Sequence, residues 1–388
     1  APRPLLMMSG RKDLDFPPDG YHEVFRRSKR VYDLYQAGDS VGEVDDDVGH
    51  TDAPLFRQEA HRWMWRWLRA STEPFPEGAV SPNLETAEDL ACLAQVPFDA
   101  VNFKIQNSLT KPVSMQPVRS IPDWTTRRTE LMVELREKVF RWFPANAIPF
   151  ETKRMRNTGG WLDRYANYKD VSFQTEVGVR IRAQLLTPKK PSSNTPLVVY
   201  VKRPGDSLYF MDVDELLPLL DRCVVLIVNP RFTETEISVS ETTNIERTAA
   251  WVGRTIASMQ VWDILRAVRW ALDEEKVAAT SVMMYGKSAM GINALYAALF
   301  ENRIGKVILN DPPGSHWRAP ALLNVLRVTD IAEVAGALAP RRLVSLTDCP
   351  KEFDYTEDIF HLLDAASQFS MVESLPEAVA LTEGIAIP

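Results

Sequence analysis

The sequence predicts an α/β protein whose core is a mostly parallel sheet with helices on both faces. Two observations carry this reading. Short continuous apolar runs recur at Leu197 to Val201, Cys223 to Val228, Val282 to Tyr285, Val307 to Leu309 and Leu343 to Leu346. Longer helical stretches, such as Arg247 to Leu272, separate them. A strand buried on both faces is apolar throughout rather than alternating, and strands joined through helices lie parallel. Residues from about 170 to 375 therefore read as one open α/β domain.

Taken in chain order, Arg3 to Ser9 reads as a strand, followed by a polar turn and a helix over Val24 to Tyr35. Val41 to Asp47 reads as a second strand that ends in acids, and Gly49-His50 as the turn after it. Phe56, Ala60, Trp63 and Trp67 then fall on one helical face, so the tryptophans are assigned to packing. Ser71 to Thr125 is rich in Pro, Ser, Thr and Asn and reads as a linker or covering segment. A charged helix is expected over Arg127 to Phe143. Alternation at Val179, Ile181, Ala183 and Leu185 suits a half-buried antiparallel strand.

Composition narrows the function classes. With 388 residues, 45% of them hydrophobic and 25% charged, the chain can build a large core and more than one domain. A net charge of −7, with basic residues scattered among more numerous acids, gives no footprint for nucleic acid. No apolar run is long enough to cross a bilayer, so no membrane partner is expected. APRPLLMMSG lacks the pattern of a signal peptide, which leaves the compartment open, export included. Cys92, Cys223 and Cys349 are too few and too far apart for a zinc site, and are read as buried free thiols. No metal or organic cofactor is expected, and oligomeric state is not readable.

An internal repeat divides the chain. Ala1-Pro2-Arg3 and its strand recur as Ala339-Pro340-Arg341 and theirs. With a one-residue gap, Asp13-Leu14-Asp15-Phe16 lies opposite Glu352-Phe353-Asp354-Tyr355, and Tyr21-His22 opposite Phe360-His361. The shared order of strand, acidic turn and helix points to homology. Residues 1–70 then form the C-terminal part of a first α/β unit whose beginning lies outside this chain. Residues 71–125 form the linker, and 126–388 a second unit.

Tyr285-Gly286-Lys287-Ser288-Ala289-Met290-Gly291 follows an apolar strand and opens a helix of small and apolar residues. A serine on a sharp strand-to-helix turn stands above the sheet, where a base can take its proton and backbone N–H groups can hold an oxyanion. The common pattern places glycine two residues after the serine. Here that position is Met290, and Gly291 follows one residue later.

The order of apolar strand, Ser288 elbow, Ile308-Leu309-Asn310-Asp311-Pro312-Pro313 and the Ala339-Pro340-Arg341 strand resembles the α/β-hydrolase fold. More narrowly it is similar to the large two-unit esterases grouped with acetyl xylan esterases and prolyl-oligopeptidase-like hydrolases. The elbow spacing also resembles that of glucuronoyl esterases.

The resemblance implies a triad acid after one late strand and a histidine after the next. Asp13, in Gly10-Arg11-Lys12-Asp13, matches the acid loop, with Asp15 as its substitute, and His50 matches the histidine loop 37 residues on. The second unit offers the acids Asp348, Glu352 and Asp354 but no histidine after its last strand. His316 and His361 fall outside the expected loop and are read as structural. The oxyanion donors implied are the N–H group of Ala289 and, because Pro204 has none, that of Gly205 or Arg203. Asn229-Pro230-Arg231-Phe232 resembles a family turn with its glycine lost, which speaks for a decayed unit.

Nucleophile and acid–base pair thus lie in different repeats. In one account the first unit's own serine lies outside this chain and Ser288 is a relic. In the other, Ser288, His50 and Asp13 converge. The first is preferred, because Leu343 to Leu346 already supplies the strand that the N-terminal segment would replace. The function implied is a serine esterase, on small-molecule or polysaccharide esters such as acetylated carbohydrate. The rival is a non-catalytic hydrolase-like module that binds carbohydrate or supports a partner domain. A peptidase of the prolyl-oligopeptidase type would call for blade-length repeats, which the sequence lacks.

Overall fold

The computed structural model describes residues 2–69, 73–76, 85–109, 111–146, 148–155, 162–190, 195–206, 215–234 and 238–381. The chain divides into two compact units, Ala1–Ala100 and Val101–Pro388.

In the first unit β1 (Leu5–Gly10), α1 (Pro18–Leu34), β2 (Val41–Asp46) and α2 (Pro54–Arg69) follow one another. The two strands are parallel and in register from Leu5↔Val41 to Gly10↔Asp46. The helices cover opposite faces of this pair. On the odd-numbered face Tyr21 of α1 hydrogen-bonds Asp45 and His22 bonds Glu43. On the even-numbered face Trp63 of α2 lies so close over Gly42 that a Cβ there would meet its ring at 2.9 Å. Packing is thus the role Trp63 takes. Helix α1 begins six residues before the expected Val24, because Pro17 and Pro18 have the fixed φ that suits a first helical turn.

The second unit runs α3 (Ile105–Leu109), α4 (Ile121–Glu134), β3 (Lys153–Arg154), β4 (Ala166–Glu176), β5 (Val179–Pro188), β6 (Leu197–Val201), β7 (Val224–Asn229), α5 (Val239–Trp251) and α6 (Ile256–Arg269). It continues with β8 (Val282–Lys287), α7 (Ala289–Phe300), β9 (Ile304–Asn310), α8 (Ile331–Gly336), β10 (Arg342–Ser345), α9 (Asp354–Leu362), β11 (Phe369–Met371) and α10 (Leu375–Ala380). Among the described residues its strands form one sheet in the order β11-β10-β9-β8-β6-β7-β5-β4-β3. From β7 to β11 neighbours are parallel, whereas β5 is antiparallel to both β7 and β4, as its alternating sequence implies.

The apolar runs are apolar on both faces because both are covered. Val199 and Val201 of β6 enter one core cluster with α4, α6 and α7, while Val198 and Tyr200 enter the other with Leu219 and α10. One charge interrupts β9. Lys306 is fully buried, and its Nζ donates to the carbonyls of Ala378, Val379 and Leu381, where the end of α10 offers unpaired acceptors.

Three local expectations need correction. The helix expected at Arg127 to Phe143 begins at Ile121, where Ser120 caps it by accepting from Asp123 N, and it ends in a wider turn over Leu135–Val139. The stretch Arg247 to Leu272 is not one helix. Gly253, at φ 76°, ends α5, and a reciprocal Thr255–Ser258 cap starts α6. Of the thiols expected to be buried, Cys223 is, Cys349 is half-buried, and Cys92 is exposed in a stretch without packed secondary structure.

Trp270 is fully buried, stacks on Phe173 with ring centroids 5.1 Å apart, and donates from Nε1 to Thr152 Oγ1. Trp270→Ala is expected to lower the stability of the second unit by about 3–5 kcal/mol in urea denaturation. A loss near zero would mean this aromatic layer does not hold the sheet.

Candidate active site

Ser288 sits on the turn from β8 to α7 with φ 48° and ψ −129°, a region that residues with a Cβ seldom occupy. The glycines make the turn feasible. A Cβ on Gly286 would lie 2.8 Å from both Cα and N of Gly291, and a Cβ on Gly291 would meet Gly286 O at 2.9 Å. The late glycine therefore does the packing that the common spacing assigns one position earlier, and Met290 is buried beside it. The turn at Asn229 to Phe232 is also intact. Phe232 adopts φ 66° in place of a glycine, and the nearly buried Arg231 guanidinium bonds Asp263 and Glu176. The lost glycine has not unmade the turn, so it gives no sign of decay.

Among the described residues, the side chain that Ser288 meets in the second unit is a carboxylate. Ser288 Oγ points at Asp311 Oδ2, 3.4 Å away, and Asp311 itself has φ 52° and donates its N–H to Thr347 Oγ1. Sequence reasoning did not single out Asp311. The candidate acids Asp348, Glu352 and Asp354 are exposed. His316 is buried with both ring nitrogens engaged, one by Pro320 O and one by Tyr296 OH, and burial pushes its pKa down. His361 is exposed on α9 beside Glu357. In the turn after β6, Arg203 N donates to Asp206 Oδ2, Pro204 has no N–H, and Gly205 adopts φ 84°. Ala289 opens α7 next to Ser288.

In the first unit the acid and histidine loops are held together. Arg11 N donates to Asp46 O and Lys12 N to Val48 O, and a Cβ on Gly10 would lie 2.3 Å from Val48 O. Only glycine allows the two loops this approach. His50 Nδ1 donates to Asp13 Oδ2 at 2.8 Å, and Asp13 Oδ1 accepts from the N–H groups of Asp15 and Phe16. Phe16 lies parallel to the imidazole at 5.9 Å.

The Asp13 side chain is 6% exposed and that of His50 69%. A carboxylate accepts only, so Nδ1 carries a proton, and in the neutral ring the lone pair falls to Nε2. Burial raises the Asp13 pKa, but the His50 bond and the two backbone donors outweigh it and hold the group below the ordinary 3.8. Asp15 is exposed and shares no bond with His50. One oxygen of each acid and a nitrogen of His50 lie within 4.8 Å of one another, a spacing that could hold a cation, although Asp13 is engaged on both oxygens.

Beside the dyad lies a cavity of about 1020 Å³ lined by Met7, Met8, Phe16, Tyr21, Val24 and Phe56, among others. Among the described residues no helix is long and apolar enough to cross a membrane.

No known family's sequence pattern matches the chain, and no curated protein matches it. Solved structures do. One, from Bacteroides fragilis and described provisionally as an acetyl xylan esterase, superposes with a TM-score of 0.57 at 12% identity over 74% of this chain and 86% of its own. A methylesterase superposes with a TM-score of 0.52 at 15% identity, over 66% of this chain and 60% of its own. The chain therefore has an α/β-hydrolase fold, as the sheet order with its antiparallel β5 and the strand-to-helix turn at Ser288 also require.

Gly286→Ala should destabilise the second unit by about 1–3 kcal/mol, through contact with Gly291, and an unchanged denaturation midpoint would remove the glycine pair from the account. The Asp13 carboxyl should titrate below 3.8 by carbon NMR, and in His50→Ala its midpoint should move upward. Because its folded value is depressed, the stability it contributes is present at neutral pH and is lost as the pH falls through that value. A midpoint unmoved in His50→Ala would show that the hydrogen bond does not hold the charge.

Proposed function

We propose that the protein is a carboxylic-ester hydrolase for esters carried by carbohydrate, with Asp13 as the acid, His50 as the base and a serine as the nucleophile. The Asp13–His50 hydrogen bond carries the reading. A neutral imidazole fixed by a buried carboxylate at Nδ1 has its other nitrogen free to take a serine proton, and the carboxylate steadies the imidazolium that forms. The serine oxygen then attacks the ester carbonyl, and His50 returns the proton to the departing alcohol. Water, deprotonated in turn by His50, releases the acid. The carbohydrate part rests on the structural neighbours, one described provisionally as an acetyl xylan esterase, and fold alone does not fix a substrate.

Ser288 is the candidate nucleophile on this chain, with the N–H groups of Ala289 and Gly205 as candidate oxyanion donors. In this reading residues 1–70 are the C-terminal part of one hydrolase unit, 71–125 link it onward, and 126–388 are a second unit. The end of the second unit's sheet is already occupied by its own β10 and β11. That observation favours a second reading, in which the second unit is a non-catalytic hydrolase-like module and His50 serves a serine on another elbow.

Labelling of the purified chain with a fluorophosphonate, followed by peptide mapping, separates the two. Modification of Ser288, lost in Ser288→Ala and reduced roughly 10²–10⁴-fold in His50→Ala, is the outcome expected of a converged triad. Labelling of Ser288 that His50→Ala leaves unchanged would remove His50 as the base. No labelling at all would exclude Ser288 and leave the second reading.

A further inference from the structure

We infer that the outer edge of β1 is a docking site for a strand of a separate α/β sheet, one that brings a serine elbow to His50. The inference rests on the reading of Asp13 and His50 as acid and base.

Among the described residues β1 pairs with β2 alone. Met7, Met8, Ser9 and Gly10 are consecutive, and all four line the cavity beside His50. Side chains alternate between the faces of a strand, so four successive residues can border one cavity only along the strand's edge. The cavity is thus a groove running beside β1, with Val24 of α1 and Phe56 of α2 among its lining. These helices cover opposite faces of the sheet. The edge itself is unblunted. Between Leu5 and Gly10 there is no charge and no proline, the devices that usually guard a free edge. Leu5, Met8, Phe16 and Val24 are 39%, 41%, 56% and 53% exposed around it.

The groove also specifies its occupant. A strand lying there would be covered by an α1-side residue on one face and an α2-side residue on the other. It would therefore be apolar throughout, like β6 or β9, rather than the alternating strand that suits a sheet with one wet face. The second unit shows the same arrangement filled. Its β10, α9, β11 and α10 follow the order of β1, α1, β2 and α2, and the edge of β10 that corresponds to the free edge of β1 is taken by β9, from Arg342↔Lys306 to Ser345↔Leu309. β9 is the strand that follows an elbow and its helix, β8 to α7. By that correspondence, the strand belonging beside β1 comes from a sheet with an elbow of its own. His50, exposed and among the groove's lining, is the residue that elbow would meet.

The test uses the full chain with photoreactive p-benzoylphenylalanine at Met8, produced in the cells that make the protein and irradiated before extraction. The same probe at Val24, on the helix, guards against a folding defect at the strand. The expected adduct is a continuously apolar strand peptide from a polypeptide segment that also carries a strand–serine–helix turn, seen from both positions and lost in Leu5→Asp.

Adducts that map to residues 101–388, to a second copy of this chain or to a protein without such a strand would overturn the inference. Absence of any adduct from both positions would do so as well. Fluorophosphonate treatment of the adduct keeps the two claims apart. A captured elbow whose serine labels equally with His50→Ala would leave the docking site standing and refute His50 as the base.

Discussion

A parallel strand inside a sheet needs apolar cover on both faces, and most of this molecule follows from meeting that requirement. In the second unit the two core clusters take alternate residues of β6 and β7, so every side chain of Leu197–Val201 is buried. The same requirement explains the buried Lys306, whose stem runs through an apolar layer and whose ammonium ends on three carbonyls at the end of α10. It also explains why Ser288 is where it is. The chain must leave the C-terminal end of β8 and return at once as α7 on the sheet's face, and a turn that sharp needs two glycines in contact and a serine at positive φ.

The first unit meets the requirement on a smaller scale. Its two strands are paired with each other and covered by a helix on each face, and its two loops are fixed by the close approach of Gly10 to Val48. The loops hold a carboxylate and an imidazole in a geometry useful for moving a proton, beside a groove that follows the unpaired edge. The Asp13–His50 pair is ordered by contacts inside the unit.

The legible parts of the sequence were those where burial leaves a periodic mark. The five apolar runs, the alternating β5 and the strands on either side of Asp13 and His50 all stand within a few residues of where their patterns place them. Boundaries set by caps were less legible. Pro18 and Ser120 start helices before any apolar period is visible, and Gly253 stops one inside what reads as a continuous stretch. β11 is three residues long and too short for a pattern.

At the site, the glycines on both sides of Ser288 could be seen but not their contact, because only the fold shows that Gly291 touches Gly286. Asp311 was legible only as part of the Ile308–Pro313 run, with no sign that it faces Ser288. Its proximity to Ser288 comes from β8 and β9 lying side by side, a relation between strands that no local motif encodes.

The central claim is that Asp13 fixes the His50 imidazole with its proton on Nδ1 and its lone pair on Nε2. Nitrogen NMR of the full chain, labelled on histidine, reads this directly at a pH where the ring is neutral. The account predicts a single His50 tautomer protonated at Nδ1, converted to a mixture in Asp13→Ala. A wild-type ring protonated at Nε2, or one already exchanging between tautomers, would contradict it.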